Sequence, residues 1–200
     1  MLLEKSHGNY SFPHTCDSTP TMILHCRQSM ARRSVRHSAE PAGRYMVAIM
    51  NEALELRNGM RVLEVGAGSG YHAATIAEIV GDEGHVFAIE YLDKLVSIAR
   101  TNLKRAGYTN RVTLVQGDGS QGYAERAPYD RILVTAAAPK IPPPLVQQLK
   151  QDGIIVLPVG GRMFPQELVR VRKKPSGALD RISLGGVAFV PLIGKYGFND

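Results

Sequence analysis

Residues 61–72, with the sequence RVLEVGAGSGYH, decide the fold of this chain. Their first half is an apolar run of Val and Leu that predicts a buried parallel strand, and residues 73–80, AATIAEIV, predict a helix. Gly66, Gly68 and Gly70 lie between the two. Because these glycines have no Cβ, a ligand can lie against their backbone, and the first amides of the helix attract an anionic group. The stretch therefore predicts a turn that holds a small ligand.

The spacing of the glycines indicates which ligand this is. A dinucleotide fingerprint, G-x-G-x-x-G, would require glycine at position 71, where the chain has Tyr71. Glu64 precedes the turn, and the predicted strand 85–89 is followed by Glu90, about twenty residues beyond the last glycine. A carboxylate there can accept both hydrogen bonds of a ribose diol. The pattern resembles the cofactor site of class I S-adenosylmethionine (SAM) methyltransferases. A glycine-rich turn without a ligand is the alternative interpretation.

Composition is typical of one globular domain, because 44% of the 200 residues are hydrophobic and 21% are charged. The formal net charge of +6 permits a nucleic-acid partner without requiring one. No apolar stretch approaches the roughly 20 residues of a membrane span, and no apolar signal core follows the N-terminus. We expect a cytoplasmic protein with reduced Cys16 and Cys26, no membrane partner and no nucleic-acid partner.

The N-terminal segment, residues 1–45, has neither a helical nor a strand period and is rich in arginine between residues 27 and 44. We expect this atypical segment to be partly irregular, and residues 46–200 to form the functional domain. Its histidines and cysteines lack the paired spacing of a metal site, so no metal is expected. The candidate ligands among them are His14, Cys16, His25, Cys26 and His37.

The rest of the chain alternates predicted strands and helices. A helix from Tyr45 to the Asn58-Gly59 stop precedes the first strand. The other predicted elements are strands at 62–65, 85–89, 112–115, 130–134 and 154–157, and helices at 73–80, 92–106 and 142–149. This order predicts an α/β fold with a doubly wound, mainly parallel sheet, and segments 167–172 and 181–190 predict an antiparallel C-terminal edge.

Several candidate functional residues follow predicted strands directly. Ligands of doubly wound sheets bind beyond the carboxyl ends of the strands, so these residues should share one crevice. They are the glycine turn, Glu90, Asp118, Gly119 and the small-residue loop that begins at Thr135.

Five segments resemble the protein-L-isoaspartate O-methyltransferase family. They are residues 62–74, 117–120, 128–132, the loop TAAAP at 135–139 and the closing FVPL at 189–192. The resemblance covers about residues 46–198, and its last two motifs are more specific than the glycine turn.

The resemblance implies a Rossmann-like fold, SAM as cofactor, and methyl transfer to the α-carboxylate of L-isoaspartyl residues in damaged proteins or peptides. The ester then collapses to a succinimide, whose hydrolysis restores some normal aspartyl linkage. In this family the glycine turn holds the methionine end of SAM, Glu90 the ribose, and Asp118 with Gly119 the adenine. The implied cofactor-binding residues are Glu64, Gly66, Ala67, Gly68, Ser69, Gly70, His72, Glu90, Asp118, Gly119, Thr135 and Gln166.

The resemblance is weakest upstream of the first clear helix. Family members carry a segment of the type GQTISAPHM, and residues 36–46 here read RHSAEPAGRYM. Ser38 is the candidate for the family's serine at the substrate carboxylate. We therefore expect the chain to bind SAM normally and to methylate isoaspartyl residues more slowly than typical members. We also expect it to be a monomer. Two alternatives are a SAM-binding protein with impaired catalysis and a methyltransferase for another acceptor, such as RNA.

Overall fold

The computed structural model of the chain describes residues 40–163 and 165–199, with side chains from residue 43 onward. Ser38 and the five candidate metal ligands named in the N-terminal segment lie outside the described residues. In the described part of the chain, no helix has both the length and the apolar content needed to cross a bilayer.

The described residues form one seven-stranded sheet with helices on both faces, in the strand order β3-β2-β1-β4-β5-β6-β7. Strands β1 to β5 pair in parallel, whereas β6 and β7 pair antiparallel at one edge, so the predicted fold class is confirmed. The elements are α1 Glu40–Leu54, β1 Arg61–Val65, α2 Tyr71–Val80, β2 His85–Glu90, α3 Asp93–Arg105, β3 Val112–Gln116, β4 Tyr129–Val134, α4 Pro143–Gln148, β5 Leu149–Gly160, β6 Gln166–Lys173 and β7 Leu179–Val187. Two 3₁₀ helices, Gly119–Gln121 and Ala124–Arg126, follow β3.

The starts of α1 and β5 differ most from the sequence-based expectation. Helix α1 begins at Glu40 rather than at Tyr45, and a proline at its second position suits a first helical turn, where no amide donor is needed. Strand β5 begins at Leu149 rather than at residue 154. The pairing of this first part of β5 with β4 is irregular, and Asp152 there has a φ of 58°. In the sequence, this polar stretch resembles a turn rather than a strand.

The core has one layer on each face of the sheet. On one face, α1, α2 and α3 contribute Met50, Ile76 and Leu103. On the other, Leu145 of α4 packs with Tyr129 and neighbouring strand residues. Side chains alternate along a strand, so Val62 and Glu64 of β1 point to the face covered by α1 and α2.

The end of α1 is anchored to the sheet by charged groups. The Glu55 carboxylate accepts hydrogen bonds from Arg170 at 3.0 Å and from Arg172 at 2.8 Å, both on β6. The hydrogen bond from Arg172 and the two positive charges outweigh burial and lower the pKa of Glu55. The guanidinium of Arg131 on β4 donates to the carbonyl of Leu54. These contacts hold α1 against the strands that carry the candidate site.

Candidate functional site

The glycine turn after β1 has a left-handed backbone at three positions. Gly66, Gly68 and Gly70 have φ angles of 93°, 55° and 81°, a region that other residues rarely adopt. The amide of Gly66 donates to the carbonyl of Ile89 at 2.8 Å, which ties the turn to β2. A Cβ on Gly66 would collide with the Thr135 hydroxyl, whereas one on Gly68 would meet no atom within 4 Å. The turn is therefore packed at its start and open at its centre.

Glu90, the last residue of β2, braces the open part of the turn. One carboxylate oxygen accepts from the Gly68 amide at 2.8 Å, and the other accepts from the Leu92 amide at 3.0 Å. The side chain is only 6% exposed. A carboxylate has about four acceptor positions, so capacity for a ribose diol remains.

Glu64, on the central strand β1, is completely buried, and within the described residues neither of its carboxylate oxygens has a hydrogen-bond partner. Burial raises its pKa well above the usual range, and the negative charge of Glu90 acts in the same direction. An unpartnered buried polar group is costly, so a ligand that brings donors or a positive charge would stabilise it. The cationic methionine end of SAM meets this need, so these residues fit the cofactor expected from the sequence.

Asp118, the residue proposed to contact the adenine amine, accepts hydrogen bonds from four donors of the chain itself. Its Oδ1 accepts from the Ser120 hydroxyl at 2.6 Å and the Ser120 amide at 2.9 Å. Its Oδ2 accepts from the Gln121 side chain at 3.1 Å and the Lys195 amide at 2.9 Å. Burial raises the pKa of Asp118, but these hydrogen bonds outweigh it and lower the pKa overall. Since a carboxylate has about four acceptor positions, little capacity remains for adenine.

We predict that Asp118 acts mainly as an anchor for the C-terminal segment. Asp118→Ala should lower the free energy of unfolding by about 1–3 kcal/mol, because the amides of Ser120 and Lys195 lose a charged acceptor. Asp118→Asn should lose less, since it keeps one acceptor oxygen. Chemical denaturation of the three proteins measures this. Unfolding midpoints equal to the wild type, combined with weaker cofactor binding, would instead support the contact with adenine.

The small-residue loop after β4 connects the glycine turn to the end of the chain. The Thr135 hydroxyl lies 2.7 Å from the carbonyl oxygen of Gly66, to which it donates. The Ala137 amide donates to Val190 at 2.8 Å, and its carbonyl accepts from Leu192 at 2.8 Å. The two motifs that resemble the family most specifically are thus paired, and Thr135 joins the first of them to the turn.

His72, in the first turn of α2, points to α1. Its Nε2 lies 2.9 Å from Oδ1 of Asn51, to which it donates, and burial lowers its pKa to about 4. The imidazole is therefore neutral at physiological pH and links α1 to α2. Within the turn, Ala67 is buried, and the Ser69 carbonyl accepts from the side chain of Asn102 at 3.0 Å.

Gln166 joins the start of β6 to the segment after β7. Its side-chain amide donates to the carbonyls of Gly161 and Phe189 at 3.2 and 3.1 Å, and its oxygen accepts from the Phe189 amide at 2.7 Å. A cavity of about 500 Å³ adjoins it, lined by Pro165, Gln166, Gly186, Val187 and Ala188. Gln166 and Gly119 lie at the carboxyl edge of the sheet with the other candidate residues.

Two residues that the sequence analysis missed lie beside Glu90. Tyr91 and Leu92 are 45% and 54% exposed at the carboxyl end of β2. Large apolar side chains exposed beside a ligand crevice are suited to pack against a planar base. In the sequence, these residues are recognisable as a pair of large side chains directly after Glu90, the acidic residue that ends β2.

Comparisons with known proteins show which family this chain belongs to. The sequence profile of the family described as protein-L-isoaspartate(D-aspartate) O-methyltransferase (PCMT) matches residues 29–197. A protein-L-isoaspartate O-methyltransferase of Hyperthermus butylicus is 47% identical over 188 residues, covering 90% of this chain and 78% of that protein. The one of Methanococcoides burtonii is 53% identical over 154 residues, covering 77% and 74% of the two chains.

Solved structures show the same similarity. One protein-L-isoaspartate O-methyltransferase has a TM-score of 0.71 and 32% identity over 83% of this chain, and the match spans 51% of that longer chain. A Plasmodium falciparum beta-aspartate methyltransferase, solved with S-adenosyl-L-homocysteine (SAH), has a TM-score of 0.67 and 26% identity, and the match covers 80% and 77% of the two chains. The matched region begins at residue 29 and includes the glycine turn and both specific motifs. This chain belongs to the protein-L-isoaspartate(D-aspartate) O-methyltransferase family.

Proposed function

We propose that this protein is a SAM-dependent repair enzyme that methylates the α-carboxylate of L-isoaspartyl residues in damaged proteins. The observation that carries the proposal is the buried carboxylate of Glu64, which has no partner in the described part of the chain and lies beside a glycine turn whose Gly68 amide donates to Glu90. This arrangement suits a ligand with a cationic end and a ribose. Membership of the family supports the isoaspartyl substrate.

The residues of the site act by binding and positioning. SAM supplies an activated methyl group on its sulfonium. The glycine turn and Glu64 hold the methionine end, Glu90 accepts from the ribose hydroxyls, and Tyr91 and Leu92 pack against the base. The substrate carboxylate is ionised at neutral pH, so no general base is needed. Alignment of the reacting atoms supplies most of the acceleration.

The test of this function is methyl transfer to two synthetic peptides that differ only in containing L-isoaspartate or normal aspartate. We expect a methyl ester on the isoaspartyl peptide alone, because only that isomer presents the recognised α-carboxylate. SAH binding is measured in parallel by calorimetry. Binding without transfer would favour a protein with impaired catalysis, and transfer to RNA but to neither peptide would favour the other acceptor class.

Two further proposals concern residues 36–45 and come from the sequence alone. Ser38 is the proposed contact to the substrate carboxylate, and slower turnover than in typical family members stays a prediction. The family profile begins before this segment and therefore includes it. A monomeric state without a nucleic-acid partner is likewise proposed, and rests on sequence alone.

A further inference from the structure

Two neighbouring carboxylates at the site have unequal surroundings. Glu90 accepts from two backbone amides, at 2.8 and 3.0 Å. Glu64 is 0% exposed, and within the described residues no donor reaches either of its oxygens. The two groups are close enough for the charge of Glu90 to disfavour ionisation of Glu64. Glu90 therefore has a donor for each of its oxygens, whereas Glu64 has none among the described residues.

Among the described residues, the elements packed around Glu64 supply no compensating charge. Its partners in the strand register are Ala88 on β2 and Leu133 on β4, both apolar. His72 on α2 is neutral at physiological pH, because burial lowers its pKa to about 4. Arg131 on β4 pairs with Val62 nearer the amino end, where it donates to carbonyls of Leu54 and Asp130.

On α1, the helix that covers this face, the polar side chain that contacts α2 is the uncharged Asn51, which accepts from His72. Burial and the charge of Glu90 together raise the pKa of Glu64 well above its usual range. Burial without a partner among the described residues therefore favours the protonated form of Glu64 while the site is free of ligand.

We propose that binding of the cofactor releases one proton from Glu64 to solvent. The inference rests on the proposed function, since it requires SAM or its product SAH in the site. Both molecules carry an α-amino group that is cationic near neutral pH. A cation beside the buried carboxyl favours its ionised form, so the O–H bond breaks, the electron pair stays on the carboxylate and the proton leaves. The ammonium group of the ligand and the Glu64 carboxylate then form an ion pair, which gives Glu64 the partner that the described residues do not supply.

The expected pH dependence follows from this proton balance. The complex holds one proton fewer than the free protein and ligand, so raising the pH favours binding. The affinity for SAH should rise by up to tenfold per pH unit between the pKa of Glu64 in the complex and that in the free protein. A site without proton release would show no such slope in this range.

Isothermal titration calorimetry with SAH at pH 6.5 tests the proposal directly. The titration is run in phosphate, whose heat of ionisation is small, and in an amine buffer, whose heat of ionisation is large. The difference in binding heat gives the number of protons that the buffer takes up. We expect about one proton per SAH in the wild type and in Glu78→Gln, a matched control with an exposed side chain, and none in Glu64→Gln.

Infrared difference spectroscopy of the wild type provides a second readout that needs no variant. SAH should remove the carbonyl band of one protonated carboxylic acid and add a carboxylate band. Equal heats in both buffers together with an unchanged carbonyl band would overturn the proposal while leaving the cofactor site intact. Failure of SAH to bind the wild type would overturn both the cofactor site and this inference.

Discussion

Glu90→Ala is expected to weaken the binding of SAH by about 10- to 150-fold, because a hydrogen bond to a charged group contributes about 1.5–3 kcal/mol. The variant removes the acceptor for the ribose diol. It also frees the amides of Gly68 and Leu92, which Glu90 now holds at 2.8 and 3.0 Å. Calorimetric titration with SAH measures the loss.

Asp82→Ala is the control for this substitution. The Asp82 side chain is 95% exposed in the loop before β2, at the opposite edge of the sheet, so its removal should leave the affinity for SAH unchanged. Glu90→Gln keeps one acceptor oxygen and should fall between the wild type and Glu90→Ala. An affinity that is the same in wild type and Glu90→Ala would remove Glu90 from the cofactor site.

Gly66→Ala is expected to lower the free energy of unfolding by about 2–5 kcal/mol and to abolish detectable binding of SAH. Part of the loss, about 1–2 kcal/mol, comes from placing a Cβ in the left-handed region. The rest, about 1–3 kcal/mol, comes from overpacking against the Thr135 hydroxyl, which now bonds the Gly66 carbonyl at 2.7 Å. Chemical denaturation and calorimetry measure the two effects.

Gly107→Ala isolates the backbone part of this effect. Gly107 follows α3 with a φ of 80°, close to the 93° of Gly66, but a Cβ there would meet no atom within 4 Å. It should therefore lose about 1–2 kcal/mol of stability and keep its affinity for SAH. Equal losses of stability in the two variants would mean that the contact with Thr135 has no energetic consequence.

Local patterns in the sequence determined the order of the elements and the position of the glycine turn. Strand and helix periods depend on residues within one turn or one strand, so the chain itself carries them. The topological rule for parallel sheets then predicted that the glycine turn, Glu90 and Thr135 would meet at one edge. The structure places all three there, with Glu90 and Thr135 each bonded to the turn.

Only the tertiary structure decided how each polar group is satisfied. Asp118 accepts from Lys195, which is 77 positions away in the chain, and His72 bonds to Asn51 on another helix. No local pattern encodes such pairs, because they depend on how whole elements pack.

The environment of Glu64 was also decided only by the tertiary structure. The sequence placed a glutamate before the glycine turn, but α1, α2 and the neighbouring strands remove it from water without supplying a donor. Residue type determines that a carboxyl group is present, whereas the cost of its charge depends on the solvent and partners that the folded chain leaves it.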